Sequence, residues 1–151
     1  MTHKKIDILL ADDDTDDCLF FKQALDQLSL SANLTIVNDG EQLMNYLSVN
    51  STNIPHVLFL DINMPRKNGL ECLAEIKENK KLKDISIVMF STSNSWETID
   101  KLFKGGVNVY IHKPNDFEQL KQVINHALPI ASEKSSSKNP LKYILNAGNR
   151  R

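Results

Sequence analysis

Apolar residues in this chain gather in short dense runs, and between those runs they recur at helical spacing. The densest run is Val57–Leu60 (Val-Leu-Phe-Leu), where large apolar residues follow one another without alternation. A strand of that kind is covered on both faces, as in a parallel sheet. Asp61 ends the run, and Pro65, which has no amide to donate, keeps the ladder from continuing far. Ile6–Ala11, Leu34–Val37, Ile85–Phe90 and Val107–His112 read as further strands.

The intervals read as helices. One starts among Asp12–Asp17 and runs to about Leu28, with Leu19, Phe20, Ala24, Leu25 and Leu28 among its apolar positions. Acidic residues suit its first turn, where they cap amides and complement the dipole. Glu41–Leu47 carries Leu43, Met44 and Leu47. A third helix carries Leu70, Leu73, Ala74 and Ile76. A fourth spans about Trp96–Lys104 and stops at Gly105-Gly106, and a last one starts near Asp116 and carries Phe117, Leu120, Val123, Ile124 and Leu128. Asn38-Asp39-Gly40 is a turn signal, and Val49–Pro55 is a polar loop. The alternation is βα repeated five times. With right-handed crossovers it predicts an α/β, doubly wound, five-stranded parallel sheet between helices. Residues 1–129 form the expected domain and 130–151 a short tail. Within that tail Ser132–Pro140 reads as a linker and Leu141–Leu145 as one helical turn.

Composition narrows the class without choosing a function. A chain of 151 residues supports one full core, and 41% hydrophobic with 25% charged residues is ordinary for a globular protein. The net charge of -1 gives no reason to expect nucleic acid. Lys134, Lys138, Lys142, Arg150 and Arg151 against Glu133 make the tail basic, which suits a solvated segment or an anionic contact. Cys18 and Cys72 lie far apart within helices and are expected as buried thiols. No signal peptide and no membrane-length run is evident, so the expected location is cytoplasmic.

The topology brings every strand's carboxyl end to one edge, where open α/β sheets place their ligands. Asp12 and Asp13 follow the first strand, Asp61 the third, Ser91 the fourth and Lys113 the fifth. Taken alone, Asp61 is equally an ordinary turn residue. Together, clustered carboxylates call for a cation, and hard oxygen donors suit Mg²⁺. A phosphoryl group bound there needs a hydrogen-bond donor and a positive charge, which Ser91 and Lys113 supply. Asp14 reads as helix-start chemistry. His3, His56, His112 and His126 show no ligand spacing. Arg66 and Lys67 read either as a steering patch for an acidic partner or as a solvated loop, and Trp96 as a partner contact or a partly buried ring.

Leu9-Leu10-Ala11-Asp12-Asp13-Asp14, Leu60-Asp61-Ile62-Asn63-Met64-Pro65, Phe90-Ser91-Thr92-Ser93 and Tyr110-Ile111-His112-Lys113-Pro114 together resemble the receiver domain of two-component response regulators. The likeness runs from about Lys4 to Leu128, is fuller for stand-alone, single-domain regulators paired with phytochrome-like or hybrid kinases, and implies a flavodoxin-like sheet in strand order 2-1-3-4-5. It implies that Asp61 is the phosphoacceptor, taking a phosphoryl group from a histidine kinase or phosphotransfer protein. It also implies Mg²⁺ held by Asp13, Asp61 and the Asn63 backbone carbonyl, with Asp12 acting through water. Lys113 would bind a phosphoryl oxygen, and its bond to Pro114 would be cis, as in the family.

The same resemblance implies a switch, in which Ser91 moves toward the phosphoryl group and Tyr110 turns inward. Read from position alone, Tyr110 is an edge-strand core aromatic. The readout face would be the fourth helix, fifth strand and fifth helix, which also offers a homodimer surface toward an unknown downstream protein. Asn63 and Ser93, two beyond Asp61 and Ser91, are small and polar and imply water access to the phosphoryl group. Two other functions compete. A haloacid-dehalogenase-type phosphohydrolase wants Asp-x-Asp-x-Thr/Val, but Asp16 stands where the last residue should be. A scaffold that binds partners without phosphorylation usually lacks one of the acids or the lysine. The expectation is a non-enzymatic phosphoacceptor, with the scaffold as the alternative.

Overall fold

The computed structural model describes residues 5–92, 95–107 and 109–132 and the backbone of 143–146. Its elements, in order, are β1 (Ile6–Ala11), α1 (Thr15–Gln27), β2 (Ala32–Val37), α2 (Gly40–Val49), β3 (Val57–Leu60), α3 (Gly69–Glu78), β4 (Ser86–Ser91), α4 (Trp96–Lys104), β5 (Val109–His112), α5 (Phe117–Ser132) and β6 (Tyr143–Asn146). All strands are parallel, in the order β2-β1-β3-β4-β5-β6. The expected 2-1-3-4-5 order is present and gains a sixth strand.

Strand alternation sorts the sheet's side chains into two cores. Leu9, Ala11, Leu58, Leu60, Met89 and Tyr110 pack with α2, α3 and α4, while Ile8, Leu10, Phe59, Phe90 and Ile111 pack with α1 and α5. Every residue of β3 is fully buried, which is why its sequence shows no alternation. On the second side Phe21, Phe59 and Phe90 meet edge to face, with ring centroids 4.9–6.3 Å apart. Burial of such side chains is worth about 1.5–3 kcal/mol each. Several of them therefore offset the cost of holding charged groups at the adjoining strand ends.

Three local expectations are corrected. Leu141 and Lys142 lie outside the described residues, but Tyr143–Leu145 is strand rather than a helical turn, because Tyr143–Asn146 pairs with β5, with Val109 opposite Tyr143 and His112 opposite Asn146. Among the described residues, β5 is thus an interior strand rather than an edge. Leu19 and Phe20 are each 50% exposed, whereas Cys18, Phe21, Ala24 and Leu25 are buried. Only the latter set shares one helical stripe facing α5 and the sheet. On α3, Leu70 and Ala74 likewise point outward, and Cys72, Leu73 and Ile76 carry the buried face. The last helix continues through Pro129 to Ser132, with Leu128 and Ala131 buried on either side of the proline.

Helix starts fix the loops that matter for the site. The Asp14 side chain accepts the amide of Asp17 and caps α1, as helix-start chemistry requires. Asp39 caps α2, and Asn68 and Glu71 form a capping box on α3. Asp116 accepts the amides of Glu118 and Gln119 at the start of α5. Gly69 opens α3 against the backbone that follows β3. A Cβ there would lie 2.3 Å from the Asp61 carbonyl oxygen and 2.8 Å from the Ile62 Cα. Neither atom can yield without moving Asp61. Gly69→Ala is therefore expected to cost about 2 kcal/mol in urea unfolding. A loss below about 0.5 kcal/mol would show that the loop accommodates the methyl group freely.

Candidate functional site

The ladder bonds run one residue beyond the strands, and this carries the chemistry to a common edge. The amide of Asp12 donates to Val37, that of Asp61 to Ala11, and that of Lys113 to Ser91, at 2.8–3.1 Å. Carboxylate oxygens of Asp12, Asp13 and Asp61 consequently lie within 4.8 Å of one another. Asp12 is fully buried, Asp61 nearly so, and Asp13 exposed. Lys113 reaches into the group, with its Nζ 2.8 Å from Asp12 Oδ2, 3.0 Å from Asp17 Oδ2 and 3.3 Å from Asp61 Oδ2. Ser91 is buried at the end of β4, and its side chain is hydrogen-bonded to Tyr110.

The electrostatics are unbalanced. Two carboxylates at 4.8 Å repel by at least ~3 kcal/mol at an effective dielectric of 20. One ammonium cannot neutralise three of them. Burial raises the Asp61 carboxyl to about 6, with the charge of Asp12 adding to the rise and Lys113 opposing it. Burial likewise raises Asp12, against the hydrogen bond and charge of Lys113. Burial works to lower Lys113, but its bond to Asp12 and the charges of Asp12 and Asp61 outweigh that and hold it above its ordinary value.

The donor set fits a hard divalent cation. Three carboxylates and one ammonium leave two negative charges, and all the donors are oxygen. Asp12 Oδ2 is buried without a hydrogen bond of good geometry, although Lys113 pairs with it by charge. Its other oxygen accepts the amide of Asp14, and Asp61 Oδ1 accepts the amide of Asn63. Both acids are thus oriented by backbone, each with an oxygen free of such a bond.

Asp12, Asp13, Asp61 and Lys113 come together at this edge, Ser91 is buried at the end of β4, the amide of Asn63 donates to Asp61, and Ser93 lies outside the described residues. Several details differ from expectation. The Lys113–Pro114 bond is trans, as are all described peptide bonds. An X–Pro bond favours trans by about 0.5–1 kcal/mol, and Lys113 reaches the acids in that form. Tyr110 is already turned inward, 1% exposed, with burial raising its hydroxyl pKa. Arg66 and Lys67 are engaged within the chain, Arg66 with Asp39 and Glu41 and Lys67 with Glu75. Trp96 is 71% exposed rather than partly buried. His112, half-buried at the end of β5, is not part of the acid cluster.

Sequence reading missed three contributors. Asp17, in the first turn of α1, is a third acid on Lys113 beside Asp12 and Asp61. Cys18 Sγ and Asn38 Nδ2 both donate to the Asp12 carbonyl, at 3.4 and 3.2 Å. Cys18 and Cys72 are buried free thiols, and burial pushes both to about 12, so neither is a nucleophile. Arg66 adopts φ 70°, a left-handed backbone unusual for a side-chain-bearing residue, next to the Pro65–Lys67 turn.

Comparison with known proteins adds identity to this geometry. The sequence model of the response regulator receiver domain matches residues 8–125. The chain is 31% identical to response regulator Rcp1 of Synechocystis sp. over 78% of its own length and 82% of that protein's. Among solved structures it superposes on the phosphorylated cyanobacterial phytochrome response regulator RcpA with a TM-score of 0.79. The identity there is 30%, covering 88% of this chain and 98% of that one. The Mn²⁺-bound form of Rcp1 superposes with a TM-score of 0.76 at 28% identity, covering 87% of this chain and 97% of that one. Among the described residues no helix is long and apolar enough to cross a membrane.

The charge balance predicts how Lys113→Met behaves. Removing the ammonium leaves buried carboxylates uncompensated, which is expected to cost about 3 kcal/mol in urea unfolding with EDTA present. Mg²⁺ is expected to restore much of that loss by taking over the same oxygens. A loss of equal size with and without Mg²⁺ would mean that Lys113 is held for packing alone.

Proposed function

The chain belongs to the response regulator receiver domain family, and we propose that it works as a phosphoacceptor on Asp61, signalling through a changed protein-binding face. Receiver domains are signalling modules of two-component systems rather than classical enzymes, and they exchange phosphoryl groups with histidine kinases or phosphotransfer proteins. The observation that carries the proposal is the Asp61 carboxylate itself. It lies nearly buried at the carboxyl edge of β3, beside Asp12 and Asp13, with Lys113 Nζ 3.3 Å away.

In this reading Mg²⁺ is held by Asp13, Asp61 and the Asn63 carbonyl, with Asp12 acting through water. When bound it neutralises the charge that gathers on the transferring phosphoryl oxygens. Burial raises the Asp61 carboxyl, and the charge of Lys113 opposes that rise and favours the carboxylate that attacks. One of its oxygens forms a bond to phosphorus as the phosphohistidine N–P bond of the partner breaks, and the imidazole leaves with the electron pair. Lys113 pairs with a phosphoryl oxygen, and the Ser91 hydroxyl donates to another. The Ser91–Tyr110 hydrogen bond supports a link from that hydroxyl to β5. The proposed readout surface is α4, α5 and the β5 side of the sheet, and β6 belongs to it because it lies along that edge. The same surface is the proposed site of homodimer contact, and the proposed location is the cytoplasm.

Incubation with acetyl phosphate and Mg²⁺, followed by intact mass measurement, tests the assignment. A single phosphoryl adduct is expected on the wild type, and none on Asp61→Asn or in EDTA. An adduct that survives Asp61→Asn would move the acceptor elsewhere. A folded wild type that takes no phosphoryl group would favour the scaffold alternative.

A further inference from the structure

Lys113 is shared by more partners than the proposed phosphotransfer chemistry uses. An ammonium group has three N–H donors. Asp17 and Asp61 accept hydrogen bonds from it at 3.0 and 3.3 Å, and Asp12 Oδ2 pairs with it by charge at 2.8 Å. The three acids differ in what release would cost. Asp12 has no exposed side-chain surface and Asp61 8%, so either would be left as a bare buried charge. Asp17 is 37% exposed, and water can replace its ammonium partner. Its position is set by the α1 cap, because its own amide is bonded to Asp14 Oδ1 at 3.0 Å.

We infer that Asp17 is a positioning residue that holds Lys113 in reserve and competes with a phosphoryl group on Asp61 for the same ammonium. The inference rests on the phosphoacceptor reading of Asp61. A phosphoryl group presents strong acceptor oxygens beside Lys113, and the donor most readily turned toward them is the one on Asp17. Asp12 and Asp61 keep their share, or pass it to a bound cation. Asp17 thereby sets how much of the phosphoryl-binding free energy is spent on breaking an existing ion pair. Asp16, its exposed neighbour on the same turn, carries the same charge but is not among the ion-pair partners of Lys113.

Calorimetric titration of beryllofluoride, a phosphoryl mimic, in the presence of Mg²⁺ tests this on wild type, Asp17→Asn, Asp17→Glu and Asp16→Asn. Asp17→Asn is expected to bind about three- to fivefold more tightly than wild type. Asp17→Glu, which keeps the acid, and Asp16→Asn are expected to stay close to wild type. The urea midpoint of Asp17→Asn in EDTA is expected to be unchanged or slightly lower, so that affinity and stability move apart. Equal affinity in Asp17→Asn, weaker binding, or the same gain in Asp16→Asn would overturn the competition. A wild type that binds Mg²⁺ but no beryllofluoride would instead remove the phosphoacceptor reading, and this inference with it.

Discussion

One ammonium group holds the carboxyl edge of the sheet together. Lys113 lies between Asp12 and Asp61, which are buried, and Asp17, which is partly exposed. Without it, the ends of β1 and β3 would place like charges against each other in a low-dielectric setting. With it, the cluster remains negative by enough to attract a divalent cation. Stability and function therefore pull on the same atoms. The fold tolerates an acid cluster because a lysine is built into it, and one lysine leaves the cluster with excess negative charge.

The rest of the architecture supports that edge. β3 is buried on both faces and ends at Asp61. The α3 start approaches so closely that Gly69 has no room for a side chain against the Asp61 carbonyl. Cys18 and Asn38 pin the Asp12 peptide from α1 and the β2–α2 loop. On the other flank the chain runs from Ser91 to Tyr110 and then, by backbone pairing, to β6. A change at Ser91 therefore meets a packed aromatic and a sheet edge already covered by the chain's own later residues. Such a contact suits a two-state element better than a graded one, since packed cores do not deform continuously.

The parallel sheet and the acid edge were legible because both follow from patterns local to the sequence. A strand buried on both faces must be continuously apolar, and parallel topology then brings every strand end to one edge. The face of α1 was not legible, because Cys18, Leu19, Phe20 and Phe21 are consecutive and leave the period ambiguous. β6 was hidden for a different reason. Its partner is β5, far back in the chain, and a four-residue strand in a Lys- and Asn-rich tail carries no local signature. The Lys113–Pro114 isomer and the φ of Arg66 depend on surrounding structure rather than on residue type. Asp17 was read only as helix-start charge, because its pairing with Lys113 is a contact across 96 residues that no local pattern reveals.

The excess negative charge at Asp12, Asp13 and Asp61 calls for a bound cation. Thermal unfolding of wild type and Asp13→Asn over a series of Mg²⁺ concentrations tests it most directly, since Asp13 is exposed and its replacement leaves the packing intact. A ligand bound only by the folded state raises the midpoint with concentration. The midpoint is expected to rise for the wild type and to rise much less for Asp13→Asn. Equal rises in both proteins, or none in the wild type, would contradict it.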